Sequence, residues 1–98
     1  MQATLSLPAE LTVYSVGEWA PRLRAHLAET SDEASLDMLR IEASAVEEID
    51  AAGVQLLLAL ANALARDQRV LQLVAPSAPL ARASAALGAS ALLTEVAR

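Results

Sequence analysis

The chain predicts an α/β fold: a four- to five-stranded, mainly parallel sheet with an antiparallel N-terminal strand, flanked by about four helices. Three observations carry this. Short β-favouring runs alternate with longer Leu- and Ala-rich segments of helical period, the pattern of strand–helix–strand crossovers. The 98 residues fit a single domain, large enough to bury a core without disulfides or metal, and there is no cysteine. Hydrophobic residues make up 55% of the chain but aromatics only 2%, so the core is aliphatic.

The elements follow in order. Residues 3–7 place Leu5 and Leu7 on one face and end at Pro8, as a short strand does. Residues 11–14 are a second β-favouring run, close enough to the first to predict a hairpin. Ser15 and Glu18 have the spacing of a capping box. The helix after them carries Val16, Trp19, Leu23 and Leu27 along one face, with Pro21 placed to bend it or delay its start. Residues 30–33 form a polar loop. Residues 36–41 alternate, with Leu36, Met38 and Arg40 one way and Asp37, Leu39 and Ile41 the other, a strand buried mostly on both faces. Residues 43–45 make a loop, and residues 46–49 return to the end of the sheet.

Residues 53–66 are the strongest helix, with Leu56, Leu60 and Leu64 on one face and Leu57 widening it. Residues 67–69 turn into a strand over 70–74. Ser77 is placed to cap a helix over 80–87, and Gly88 to end it. A last helix is expected over 89–97.

Composition removes several classes of function. The net charge is −5, no lysine occurs, and the seven arginines are scattered along the chain. A nucleic-acid binder needs a basic stripe to displace counterions, and an anionic membrane surface asks for the same. The N-terminus has neither a basic region nor a sustained apolar run, and no apolar block approaches the ~20 residues of a membrane span, so a cytoplasmic protein is expected. No metal or other cofactor is implied: His26 is the sole histidine and stands in no ligand spacing.

The segment with most to say about function is Ile49-Asp50-Ala51-Ala52-Gly53-Val54-Gln55 running into Leu56-Leu57-Leu58. A strand ends, Asp50 caps the junction, the alanines and glycine turn the chain, and an apolar helix begins. A helix start leaves N–H groups unpaired, but the Asp50 charge works against a bound anion there.

With its flanking strands, the later Leu71-Gln72-Leu73-Val74 run and the Ser77–Pro79 loop, this pattern resembles the STAS domain. That family includes bacterial anti-sigma factor antagonists and the C-terminal domains of sulfate transporters, and the resemblance covers nearly the whole chain. It implies protein–protein binding rather than catalysis. In the sigma-pathway members a partner kinase phosphorylates the Ser or Thr directly after the motif's Asp, and the added charge breaks the complex. Here that position is Ala51, followed by Ala52, and neither has an oxygen to modify.

The resemblance therefore implies a docking module without its switch. It would bind through the loop of residues 48–53 and the following helix, with Asp50, Ala51, Ala52, Gly53, Val54 and Gln55 as contact residues and Ser77 flanking them. The partner would be a kinase-type anti-sigma factor, a chemosensory protein or an ABC ATPase. The opening segment and Gln55 also resemble small STAS proteins of chemotaxis clusters, and the STAS subunit of a phospholipid-transport ABC complex is similar in size. The domain itself would be a monomer or weak homodimer. A small-molecule-binding domain is the remaining alternative and would need a deep polar pocket.

The same residues have plainer readings. Asp50 is an N-cap whether or not it meets a partner, and Gly53 is a small residue where the backbone turns. Ser44, Ser77, Thr30 and Ser31 are loop and cap hydroxyls before they are modification sites. Glu47 and Glu48 point to opposite faces of a strand, as a solvated edge does, and no catalytic triad can be assembled around His26. Trp19 is expected to fill the core.

Overall fold

The computed structural model describes residues 5–30, 38–90 and 92. In chain order these form β1 (Leu5–Ser6), β2 (Glu10–Leu11), α1 (Val16–Thr30), β3 (Met38–Glu42), β4 (Glu48–Ile49), α2 (Ala51–Arg66), β5 (Val70–Val74) and α3 (Ala78–Ala86). The α/β class and the parallel sheet are as expected. The expected positions Ala3, Thr4, Leu36 and Asp37, the loop at 31–33 and most of the helix at 89–97 lie outside the described residues.

The strands divide into two sheets. One has the order β1-β3-β5, the other pairs β2 with β4, and every pairing is parallel. The expected hairpin and the antiparallel first strand are therefore not formed by the described residues. The cause is the short connection at Pro8. The Leu7 N–H donates to the Glu42 carbonyl, whereas the Ala9 carbonyl accepts from the Glu47 and Glu48 N–H groups. The polar groups on either side of Pro8 thus face different partners, and β1 and β2 separate.

The core is aliphatic. Leu39 and Ile41 of β3 and Leu71 and Leu73 of β5 are buried, in register with one another, while Arg40 and Val70 are exposed and Met38, Glu42, Gln72 and Val74 are half-buried. Burial is thus concentrated on one face of β3, not spread over both as expected. Helix α2 packs on β5 and α1, and α3 lies against β4. The buried residues of α2 are Gly53, Val54, Leu57, Leu60 and Leu64; Leu56 is only half-buried, so the helix is turned toward Leu57 relative to expectation.

Helix α1 runs unbroken through Pro21. Pro21 lies in the second turn, where it leaves the Gly17 carbonyl without its i+4 donor, and both residues are exposed to solvent. Trp19 is half-buried against the core, with the Arg22 guanidinium 5.0 Å from its ring centre.

The helix ends explain their own positions. Ser77 caps α3 by accepting the Leu80 N–H at 3.2 Å. Gly88 closes that helix with φ of 71°, its N–H donating to Ala85 and the Ala89 N–H to Ser84, the pairing of a Schellman motif. The same motif closes α2 with Gln68 in the left-handed position, φ of 60°.

Candidate protein-interaction surface

Strands β2 and β4 pair in parallel, so their C-terminal ends and the N-termini of α1 and α2, which follow them, share one end of that sheet. This is where α/β folds place their sites. The β2–α1 loop and the β4–α2 junction meet there.

Helix α2 begins two residues earlier than the sequence suggests. Asp50 is its N-cap, and Ala51, Ala52 and Gly53 form its first turn rather than a separate turn. One Asp50 oxygen, Oδ1, accepts the Gly53 N–H at 3.1 Å. The other, Oδ2, accepts the Val13 N–H at 3.0 Å from the β2–α1 loop. The Val13 N–H is the main cause holding the Asp50 carboxyl below its usual value of 3.8; partial desolvation opposes it, and the N–H groups of Gly53, Ala52 and Asp50 itself add to it.

Gly53 joins the same two segments by contact. A Cβ added there would overlap the Leu11 carbonyl oxygen and lie 2.9 Å from Ile49 Cγ1. The glycine is thus required by the close approach of α2 to β2, and not by a turn.

The β2–α1 loop was expected to be strand. Its N–H groups go to side chains instead: Thr12 N–H to Ser15 Oγ at 3.0 Å, Val13 N–H to Asp50, and Tyr14 N–H to Thr12 Oγ1 at 3.2 Å. Ser15 Oγ in turn donates to the Glu10 carbonyl at 2.9 Å, and Thr12 Oγ1 donates to the Glu10 carboxylate at 2.7 Å. The expected capping box is therefore absent. The Glu18 N–H goes to the Ser15 carbonyl, and the Glu18 carboxylate pairs with Arg22 at 2.9 Å.

This loop projects two apolar residues that the sequence reading missed. Val13 is 60% exposed and Tyr14 91%. The signal available was Thr12 and Ser15 at the spacing of a hydroxyl-stabilised turn; the clamp from Asp50 had none.

A family model described as Mlab, STAS domain, matches residues 2–94. The chain belongs to the STAS domain family. No curated protein and no solved structure matches it. STAS domains are in general non-enzymatic interaction modules.

In this STAS domain Ala51, the residue after the capping Asp50, is exposed, as is Gln55, and Ala52 is half-buried. Gly53 and Val54 are buried, Val54 completely, so they support this surface and present nothing to a partner. Ser77 is half-buried at the start of α3. Ser44 is exposed, its hydroxyl donating to the Glu42 carboxylate at 2.7 Å. Glu47 and Glu48 are both exposed. His26 is buried within α1, and among the described residues no cluster of His, Asp or Glu could hold a metal ion. No described helix is long and apolar enough to cross a membrane.

Two concavities lie away from the junction. One of about 240 Å³ is bounded by Leu58, Asn62, Arg69, Leu71 and Leu92. The other, about 180 Å³, runs between α1 and α2 past Leu23, Leu27, Leu56 and Leu60. Both are lined mainly by aliphatic side chains, and neither is the deep polar pocket expected from the sequence for a small-molecule site.

Proposed function

We propose that this domain is a docking module that binds a protein partner through the exposed start of α2, and that it does so without a phosphorylation switch at that site. The exposed Ala51, first residue of α2 beside the capping Asp50, carries the reading. It occupies the family's acceptor position with a methyl group, which gives a small apolar contact that no kinase can charge. Ala52 and Gln55 border it, and Ser77 flanks it from α3. The partner is a signalling protein of the kinase-type anti-sigma or chemosensory kind. A second reading keeps the surface and changes the partner to an ABC ATPase, with the domain as an accessory subunit.

The test is affinity capture from a lysate of the source cells with the wild-type protein and with Ala51→Glu. A carboxylate in the first helical turn suits the helix dipole, so the variant is expected to keep its melting temperature. The captured protein should be retained by the wild type and lost, by about tenfold or more, with the variant. Equal retention would move the interface elsewhere. Incubating the pair with ATP and weighing the domain by mass spectrometry should show no stoichiometric phosphate; phosphate on Ser77 or Ser44 would overturn the unswitched reading.

A further inference from the structure

We infer that Val13 and Tyr14 form the apolar anchor of this docking surface, and that the protein seated on it presents an apolar slot rimmed by basic side chains. The inference rests on the docking reading above and specifies its partner. Tyr14 is 91% exposed and Val13 60%, in a chain with one tyrosine, one tryptophan and no phenylalanine. Leaving the one tyrosine on a loop tip wastes its area in the free protein. An exposed aromatic on a rigid support is the side chain that most often dominates an interface, because its area is buried with few rotamers to fix.

The support is rigid. The N–H groups of Thr12, Val13 and Tyr14 are each held by a side-chain oxygen, and the Ser15 and Val16 N–H groups both donate to the Thr12 carbonyl at 2.9 Å. Asp50 therefore acts as a positioning residue: both its oxygens are engaged within the molecule, and it ties the Tyr14 loop to the Ala51 turn.

Charge selects the partner's chemistry. Glu10 and Glu48 are in register on the parallel strands β2 and β4, so their exposed side chains leave the same side of the sheet next to each other. Like charges so placed oppose each other in the free domain. A cation brought by a partner relieves that repulsion. No arginine occurs at positions 5–21 or 41–65, which contain every residue of this surface apart from Ser77, and the chain has no lysine. Arg22, eight positions after Tyr14, is already paired with Glu18. Among the described residues neither Glu10 nor Glu48 is in an ion pair, and a basic rim around a slot for Tyr14 supplies the compensating charge.

The test uses the protein captured by the wild-type domain, purified and titrated against wild type, Tyr14→Ala, Glu10→Gln/Glu48→Gln and Ala51→Glu at low and high salt. Tyr14→Ala should weaken binding about tenfold or more with an unchanged melting temperature. The double Gln variant should bind more weakly at low salt and flatten the salt dependence. If Ala51→Glu abolishes binding while the Tyr14 and Gln variants bind as wild type, docking at α2 stands and this inference falls. Binding that needs Tyr14 but strengthens with salt removes the basic rim. Tyr14-dependent self-association in sedimentation, in place of a foreign partner, also overturns it. Capture of no protein at all overturns both readings.

Discussion

Asp50 and Val13, 37 positions apart, are joined by a 3.0 Å hydrogen bond from the Val13 N–H to the Asp50 carboxylate. The same carboxylate caps α2 through Gly53. One side chain therefore starts a helix and fixes the loop that carries Tyr14. Removing its charge should be felt in both places.

Asp50→Asn should lower the melting temperature at neutral pH and speed hydrogen exchange at the Val13 amide. An Asn side chain has one accepting oxygen where the carboxylate uses two. The folded Asp50 pKa lies below its unfolded value of 3.8, so its contribution is complete above about pH 5 and fades as the pH falls through the folded value. The gap between wild type and Asp50→Asn should accordingly shrink in melts taken below pH 3.8. A gap that stays constant with pH contradicts the assignment.

Gly53→Ala should cost stability, by about 1–3 kcal/mol in a urea titration, as overpacked sites do. The obstacle is the Leu11 carbonyl, a backbone atom that cannot swing aside as a flexible side chain would. Helix propensity alone predicts the opposite sign, so the direction of the change decides between them.

The burial of α2 makes a paired prediction. Leu57→Ala removes a side chain with no exposure and should cost about 2–5 kcal/mol. Leu56→Ala, at a half-buried site, should cost clearly less. Parallel denaturation curves of the two variants check the rotation of the helix.

Gln68 holds a left-handed backbone conformation where helices usually place glycine. Gln68→Gly should be neutral to stabilising, by up to about 1 kcal/mol, since relief of the left-handed strain exceeds the added unfolded-chain entropy. The expected reading is a rise of a few degrees in melting temperature; a clear fall would mean that the Gln side chain makes a contact worth more than the strain.

Local chemistry was legible in the sequence. The α2 cap at Asp50, the α3 cap at Ser77 and the Gly88 stop depend on residues within five positions of each other, so the chain declares them. The alternation that buries Leu71 and Leu73, the acceptor-free Ala51 and the resemblance to STAS domains were readable in the same way. Long-range partners were not. Leu11 is followed by a turn rather than more strand because Asp50, far along the chain, accepts the Val13 N–H and the local hydroxyls take its neighbours. The hairpin gave way to two parallel sheets because the polar groups flanking Pro8 bond to Glu42 on one side and to Glu47 and Glu48 on the other. Gly53 looks like a turn residue until Leu11 is packed over it, and Val54 looks like surface until its side of α2 meets the core. By itself the sequence determined the α/β class, the caps at Asp50 and Ser77, the stop at Gly88 and the absence of a hydroxyl at Ala51, all set by neighbours along the chain. Only the tertiary structure decided the strand pairing, the packing at Gly53 and the exposure of Tyr14, because each depends on a hydrogen bond or contact between residues that the sequence keeps apart.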